Sequence, residues 1–353
     1  MPMKILVIQQ KMIGDVLASS IICNNIKQEY PDAQVDYLIY PFTKPVVLEN
    51  PNIDNIILFT DNYRKSKLSL LKFAFEIRSQ HYDVVIDAYG KTESNLIVLF
   101  SGAKQKLGFY KRYTQFLYTK TVREIPVPRT NVGTALENRL NLLRLFDVFP
   151  NAYIKPKIWL TDAEIAHGQR ILENHKIPSG QKILMIGVLG SGENKTYPFP
   201  FMAQLLDVIA SETNAALIFN YMPSQKNEAL MIYNLCKPDT RKNIKIDIVP
   251  GSIREFLAIT SHCDALIGNE GGAVNMAKAI EIPTFTIFST WIKKEAWNAF
   301  ENGNTNISVH LKDFKPELYG GKSPKEMKKH AITLYREFTP DLILPLLKKY
   351  LRF

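Results

Sequence analysis

Three segments of the 353-residue chain hold residues that could do chemistry, and each follows a predicted strand. The first segment is 9–16, where a strand gives way to a helix at Gly14 and Asp15. Open α/β sheets place their sites at the carboxyl ends of strands, so Asp15 is either a site residue or only a helix cap. A single glycine is too few for a GxGxxG dinucleotide fingerprint.

The second segment, 187–198, is rich in glycine and ends in Lys-Thr-Tyr-Pro. It is not a Walker P-loop, because two residues separate Gly192 from Lys195, and it is not a GxSxG elbow, because Leu189 replaces the first glycine. What remains is a turn, Gly190-Ser191-Gly192, followed by the ammonium of Lys195. Such a loop suits an anion, a diphosphate in particular, and the alternative is a flexible surface turn with a solvated lysine.

The third segment, 267–279, runs from a strand through paired glycines into a helix of small residues. The helix N-terminus at Gly271 and Gly272 offers partial positive charge and free donors to a phosphate. Glu270 stands where it could accept hydrogen bonds from the hydroxyls of a ribose or sugar. The alternatives are that Glu270 only caps the helix and that Asn275 is a surface residue.

Other kinds of site have little support in the sequence. No D-x-D, H-E-x-x-H or C-x-x-C motif occurs, and the six histidines are scattered, so no metal site is predicted. The three cysteines are too few and too widely spaced for a disulfide framework. No apolar run approaches the roughly 18 residues of a membrane span, and the start lacks a signal-peptide core. We therefore expect a soluble protein of a reducing compartment.

Short apolar runs alternate with helical patterns, which is typical of parallel α/β architecture. Strands are predicted at 4–9, 34–40, 55–59, 83–87, 182–188, 215–220, 245–249, 265–268 and 284–288. Helices are predicted at 15–29, 66–80, 134–147, 161–175, 199–212, 225–236, 252–261 and 271–280, with an amphipathic tail helix that Pro345 would kink or restart. Each half therefore resembles a Rossmann-type unit.

The net charge of +10 is unevenly distributed. Residues 1–150 and 312–353 each carry a net +5, whereas residues 151–311 are neutral. Within 104–123, basic residues and aromatics interleave without a single acid. This stretch is either a solvated face or a surface for a phosphate-rich partner, anionic lipid or nucleic acid.

The three segments, in this order and at these separations, resemble the bacterial ADP-heptose:lipopolysaccharide heptosyltransferases, glycosyltransferase family nine. The resemblance covers nearly the whole chain. It includes Ile13-Gly14-Asp15-Val16, the helix 136–147 and Lys195-Thr196-Tyr197-Pro198. The most specific part is 268–283, which is similar to the family's Asp-Thr-Gly-x-x-His helix. Here Glu270 replaces the aspartate, Gly271 the threonine and Asn275 the histidine, while Gly272 matches the glycine.

The resemblance implies a GT-B fold, with two Rossmann-like domains facing across a cleft. Residues 1–160 would form the acceptor domain, 161–335 the nucleotide-sugar donor domain, and 336–353 a helix that crosses back to the first domain. The acceptor would be an anionic lipid-linked glycan, so the enzyme would work at the cytoplasmic face of the inner membrane as a peripheral protein. No cofactor, no metal and no nucleic-acid partner are expected.

For mechanism, the resemblance implies an inverting, metal-independent glycosyltransferase. Asp15 would act as general base, and Lys195 would stabilise the leaving diphosphate. The donor, ADP-heptose or another nucleoside diphosphate sugar, would be bound by Gly190, Ser191, Gly192, Lys195, Glu270, Gly271, Gly272 and Asn275. The acceptor would be bound by Lys11, Gly14, Lys111 and Arg112.

Three alternatives stay open. The departures at Gly271 and Asn275 favour a family member that uses a hexose or N-acetylhexosamine donor. A non-catalytic nucleic-acid-binding protein would use the 104–123 stretch and bind with a steep salt dependence, although no recognition-module signature occurs. A catalytically inactive scaffold is the third alternative, against which the presence of both Asp15 and Lys195 argues.

Overall fold

The computed structural model describes residues 2–148, 154–178 and 180–352. It divides into two compact units between Trp159 and Leu160, one residue from the boundary predicted at 160/161. Each unit is a parallel sheet with helices, as the alternating pattern predicts. Among the described residues, no helix is both long and apolar enough to cross a bilayer.

The first unit has a six-stranded parallel sheet in the order β3-β2-β1-β4-β5-β6. Its strands are β1 Lys4–Ile8, β2 Gln34–Ile39, β3 Asn55–Leu58, β4 Val84–Asp87, β5 Gln105–Phe109 and β6 Lys120–Val122. Its helices are α1 Ile13–Glu29, α2 Asp61–Lys65, α3 Lys67–Ser79, α4 Thr92–Phe100 and α5 Thr134–Leu143. The strand order reverses between β1 and β4, which is the point where doubly wound sheets bind their ligands.

The second unit has a five-stranded parallel sheet in the order β11-β10-β9-β7-β8. Its strands are β7 Ile183–Gly187, β8 Ala216–Phe219, β9 Ala265–Asn269, β10 Thr284–Ile287 and β11 Asn306–Val309. Its longer helices are α6 Asp162–Asn174, α7 Phe199–Thr213, α8 Lys226–Leu235, α10 Ile253–Thr260, α11 Gly272–Ala279 and α16 Pro340–Leu351. Shorter ones are α9 Pro238–Asn243, α12 Lys294–Trp297, α13 Leu311–Phe314, α14 Pro324–Lys329 and α15 Ala331–Glu337.

The central strands consist of β-branched and other apolar residues, and their side chains are buried on both faces of each sheet. Ile5, Leu6, Val7 and Ile8 of β1 have no exposed surface, and β9 is likewise buried along its length. Strands covered on both faces read as continuous apolar runs, which is why these strands were predictable. Burial of each such side chain contributes about 1.5–3 kcal/mol. Cys23, Cys236 and Cys263 are buried free thiols in this core.

The predicted strand at 245–249 is wrong. In its place a single bridge joins Leu217 to Ile244, after which the chain turns, with the N–H of Ile248 bonded to the carbonyl of Lys245. The alternating Ile-Lys-Ile-Asp-Ile pattern is that of a strand, but the turn ends the pairing beside β8 after one residue. β5, β6 and β11 were not predicted, because lysine, glycine or asparagine interrupts their apolar pattern.

The tail forms one helix, α16, with Pro345 inside it, so the proline does not restart the helix. Its apolar residues Ile343, Leu347, Tyr350 and Leu351 belong to the core of the second unit, where α16 packs against α7. Lys348 is also paired with Glu212 of α7, Nζ to Oε1 3.0 Å. These contacts place α16 in the second unit, and its crossing to the first domain stays a prediction.

His310, which follows β11, is a buried histidine whose protonation should destabilise the second unit in acid. Only 3% of the residue is exposed, and burial lowers the pKa of its imidazole to about 4, so the folded state holds it neutral. Its Nδ1 accepts the N–H of Lys312 at the start of α13. The unfolded chain, with a pKa near 6.5, binds the proton first, so stability present above about pH 6.5 is lost as the pH falls toward 4.

We therefore expect His310→Asn to flatten the pH dependence of unfolding between pH 7 and 4. Asparagine keeps an acceptor for the N–H of Lys312 but cannot be protonated. The wild-type free energy of unfolding should fall by up to about 3 kcal/mol more than that of the variant across this window. Denaturant titrations at several pH values measure the difference. Parallel curves for the two proteins would contradict the assignment.

Candidate functional site

In the first unit, Asp15 lies in the first turn of α1, beyond the carboxyl end of β1. Its Oδ2 accepts the N–H of Met12 at 3.2 Å, so Asp15 does cap the helix. Its Oδ1 accepts a hydrogen bond from Arg139 Nη2 at 2.8 Å, in an ion pair that capping does not explain. A carboxylate has about four acceptor positions, so these two bonds leave Asp15 room for a third donor.

Arg139 reaches Asp15 from α5 and is the residue that the sequence analysis missed. Its Nε donates to Ser19 Oγ at 2.9 Å and its Nη1 to the carbonyl of Ala135 at 2.9 Å. Ser19 in turn donates to Gln9 Oε1 at 3.2 Å. The Arg139 side chain is 11% exposed, so its charge is largely enclosed by these partners. The available signal was an arginine three residues after Leu136 and four before Leu143, on the buried face of α5.

The predicted acceptor residues lie at the same edge of the first sheet. Gly14 is in the first turn of α1, and Lys11 Nζ lies 5.8 Å from the centre of the Tyr40 ring. Lys111 follows β5, two strands from β1, and its Nζ donates to the carbonyl of Gly90 at 2.6 Å in the turn after β4. Arg112 beside it is exposed. Parallel strands bring these residues together because their carboxyl ends share one edge.

In the second unit, the structure brings the other two segments together. Lys195 Nζ lies 3.2 Å from Glu270 Oε1, across 75 positions of sequence. The Glu270 side chain is only 9% exposed, and Oε1 makes no hydrogen bond, so the pairing is one of charge without hydrogen-bond geometry. The alternative that Glu270 only caps α11 is wrong, because the N-cap position belongs to Gly271.

The turn 190–192 is fixed by backbone packing. A Cβ on Gly190 would stand 2.2 Å from the carbonyl oxygen of Lys195, so no larger residue fits there. The N–H of Gly190 is bonded to Thr196 Oγ1 at 3.0 Å, so Gly190 shapes the turn instead of offering its N–H to an anion. Ser191 and Gly192 are exposed at its tip. Gln225 also holds the turn, its Nε2 donating to the carbonyl of Gly190 at 2.9 Å.

Asn269, at the end of β9, clamps this turn onto the sheet. Its Oδ1 accepts the N–H of Tyr197 at 2.7 Å, and its Nδ2 donates to the carbonyls of Gly187 and Val188 at 2.9 and 3.1 Å. Gly268 beside it has φ +144°, and a Cβ there would stand 2.3 Å from the oxygen of Gly187. The loop that carries Lys195 is therefore held against β9, the strand that Glu270 directly follows.

Open space lies in front of α11. A Cβ on Gly271 or Gly272 would meet no atom within 4 Å, and Gly271 has φ +154°. Asn275 is half-buried in the first turns of the helix, with its N–H bonded to the carbonyl of Gly271 at 3.3 Å. A helix N-terminus that faces open space beside an ammonium group is suited to a phosphate group.

Trp291 and Lys328 adjoin this site from outside the three predicted segments. The indole Nε1 of Trp291 donates to the carbonyl of Asn194 at 2.8 Å, beside Lys195. The ring lies 5.6 Å from Lys195 Nζ and 4.9 Å from Lys328 Nζ, so two ammonium groups adjoin one indole. Within the described part of the chain, no group of three or more His, Cys, Asp or Glu side chains is placed to hold a metal ion.

The chain is similar to known proteins over most of its length. The model of Glycosyltransferase family 9 (heptosyltransferase) matches residues 70–322. Lipopolysaccharide heptosyltransferase 1 of Campylobacter coli is 23% identical over 294 residues, 81% of this chain and 84% of that protein. Lipopolysaccharide heptosyltransferase 2 of Escherichia coli K12 is 19% identical over 295 residues, 81% and 82% of the two chains.

Solved structures confirm the fold class. A glycosyltransferase family 9 protein of Veillonella parvula superposes with a TM-score of 0.74 at 17% identity, covering 95% of this chain and 97% of that one. An E. coli heptosyltransferase with ADP-2-deoxy-2-fluoro heptose gives 0.64 at 15% identity, covering 87% and 93%. The fold is of the GT-B class, as expected. The family match and the relatives confirm the resemblance, and the chain is a glycosyltransferase that belongs to glycosyltransferase family 9.

Proposed function

We propose that this enzyme transfers a heptose, or a related sugar, from a nucleoside diphosphate sugar to a lipopolysaccharide core or similar lipid-linked glycan. The observation that carries the proposal is the Lys195–Glu270 pair beside the open N-terminus of α11. One cation and one helix N-terminus suit a diphosphate, and a mostly buried carboxylate suits sugar or ribose hydroxyls. ADP-heptose is the first candidate, because relatives bear the name heptosyltransferase and one solved relative holds an ADP-heptose analogue.

The reaction we propose is a direct displacement that inverts the anomeric carbon. The acceptor hydroxyl oxygen forms its bond to that carbon as the bond to the diphosphate oxygen breaks. Asp15 takes the hydroxyl proton, and Arg139 and the N–H of Met12 hold the carboxylate in position. The diphosphate leaves as an anion, stabilised by Lys195 and α11 without a metal ion. Trp291 restrains Lys195 by lying against its ammonium group.

The proposal of an anionic acceptor rests on the positive charge of the first unit. Lys11, Lys111 and Arg112 lie at the sheet edge that carries Asp15, and residues 1–150 have a net charge of +5. A basic acceptor face is apt for a glycan that bears phosphate or carboxylate on a membrane lipid. We accordingly propose that the enzyme works at the cytoplasmic face of the inner membrane as a peripheral protein.

A nucleotide panel tests the donor. We expect one of ADP, UDP, GDP and CMP, with ADP the first candidate, to raise the melting temperature by a few degrees. At a concentration of 100 times Kd, a ligand adds about 2.7 kcal/mol to the free energy of unfolding. The shift should be unchanged by EDTA, because Lys195 and α11 take the place of a metal. Thermal scans with and without EDTA measure it.

The panel also decides between the alternatives. A response to UDP or GDP in place of ADP would favour a hexose or N-acetylhexosamine donor, which is the direction that Gly271 and Asn275 favour. Loss of the shift in EDTA would contradict metal independence. No shift with any nucleotide, together with tight salt-dependent RNA binding, would overturn the transferase site.

A further inference from the structure

The loop between β5 and β6, residues 110–119, exposes two aromatic side chains to solvent. Tyr113 is 73% exposed and Phe116 is 78% exposed, among the highest values for large apolar residues in the described chain. They are three residues apart, on either side of the buried Thr114 and the start of a 3₁₀ turn at Gln115–Leu117. Two exposed rings on one short loop are a candidate contact surface for another molecule.

This β5–β6 loop is anchored at both ends. At its start, Lys111 Nζ donates to the carbonyl of Gly90 at 2.6 Å. At its end, the Tyr118 hydroxyl contacts Asp87 Oδ2 and Asn95 Oδ1, both at 2.8 Å, and the Tyr118 ring fills the space that a Cβ on Gly108 would need. Hydrogen bonds therefore hold both ends of the loop that exposes Tyr113 and Phe116.

The charge around the loop is positive. Arg112 is exposed next to Tyr113, and Arg123 lies over the Tyr110 ring with its guanidinium carbon 4.7 Å from the ring centre. No acidic residue occurs from 104 to 123. Lys104 belongs to the same basic stretch but lies before β5, at the amino edge of the sheet, whereas this loop begins after β5. The basic stretch is thus two surfaces, and only one of them carries exposed aromatics.

We propose that the β5–β6 loop inserts Tyr113 and Phe116 into the headgroup region of an anionic bilayer while Arg112 pairs with lipid phosphate. Aromatic rings favour the boundary between headgroups and acyl chains, and each nearby cation adds attraction to an anionic surface. The loop begins at the carboxyl edge that also holds Asp15, where Lys111 and Arg112 lie, and then returns toward the amino end of β6, so insertion of its first half brings these acceptor residues to the lipid surface. This inference rests on the proposed lipid-linked acceptor. A bilayer fits better than single-stranded RNA, which needs successive aromatics along a basic groove, whereas these two share one loop tip.

Vesicle binding by the full-length enzyme tests the surface. Phosphatidylglycerol-containing vesicles should bind the wild type more tightly than phosphatidylcholine vesicles. Tyr113→Ser with Phe116→Ser should weaken binding to the anionic vesicles by roughly tenfold or more, because two rings leave the interface. Arg112→Gln should weaken it about fivefold on the anionic vesicles only.

Matched controls come from the opposite edge of the same sheet. Leu99 is 47% exposed near the end of α4, and Lys104 is exposed before β5. Leu99→Ser and Lys104→Gln should bind vesicles as the wild type does. If Lys104→Gln weakens binding as much as Arg112→Gln, total charge explains the attraction and the inference is overturned. The inference would also be overturned if the Tyr113/Phe116 variant bound vesicles as tightly as the wild type does. The same holds if the variant lost binding to RNA but kept binding to vesicles.

Activity separates this inference from the proposed function. With an acceptor that lacks its acyl chains, the Tyr113/Phe116 variant should turn over as the wild type does, and with the acylated acceptor in vesicles it should be slower. Equal losses with both acceptors would mean that the loop acts on catalysis and not on the membrane. Vesicle binding needs no turnover, so an enzyme inactive on every acceptor would contradict the proposed function and leave this test intact.

Discussion

Asp15→Asn should lower turnover by about 10²–10⁴ and leave the affinity for the nucleotide donor nearly unchanged. The amide cannot accept the proton of the acceptor hydroxyl, but its side-chain oxygen can still accept a hydrogen bond from a backbone N–H. The substitution therefore removes the proposed base and keeps an acceptor for the Met12 N–H, which Asp15 holds at 3.2 Å. Single-turnover rates at saturating donor and donor titration measure the two effects separately.

Controls for this result follow from the contacts of Asp15. Asp32→Asn, at an exposed position of the same unit, should leave turnover unchanged. Arg139→Gln keeps the carboxylate but removes the guanidinium that holds Asp15 Oδ1, so turnover should fall while donor affinity stays constant. If donor binding collapses in Asp15→Asn while turnover at saturation survives, Asp15 is not the base.

Lys195→Gln should lower turnover by about 10²–10³, because the positive charge facing the leaving diphosphate is lost. Donor affinity should fall as well, since the ammonium also meets the diphosphate in the ground state. The matched control is Lys322→Gln, an exposed lysine whose loss should change neither quantity. Steady-state kinetics and donor titration measure both effects.

A double variant separates the charge of Lys195 from the stability of its loop. Lys195→Gln leaves the Glu270 carboxylate, 9% exposed, without its ion pair, and this should lower the melting temperature. Adding Glu270→Gln removes the remaining charge, so stability should return while turnover stays low. Turnover that recovers together with stability would mean that Lys195 is structural and does not act on the diphosphate.

Much of the fold was predictable because each central strand is an apolar run of its own. β1, β2, β4, β7 and β9 were found within one or two residues of their ends. The strand predicted at 245–249 was wrong, and β5, β6 and β11 were missed. The missed strands carry lysine, glycine or asparagine and form through pairing with their neighbours, with β6 and β11 at the sheet edges, so their own composition does not mark them.

The site residues were likewise only partly predictable from the sequence. Asp15, Lys195 and Glu270 could be singled out because residues after a strand share the carboxyl edge of the sheet. Their partners could not be assigned from the chain alone. Arg139 reaches Asp15 from a helix 124 positions away, and Asn269 clamps the Lys195 loop across more than 70 positions. Such pairs depend on helix packing and strand order, which a linear pattern does not contain.

By itself, then, the sequence determined the α/β class, the two units and the positions of the three glycine-containing turns, because these follow from local patterns of apolar and small residues. The tertiary structure decided which charges meet. It paired Lys195 with Glu270 and Asp15 with Arg139, and it divided the basic stretch between the two ends of β5. The physical reason is that an ion pair depends on a distance of a few ångströms between side chains, and only the packing of distant elements sets that distance.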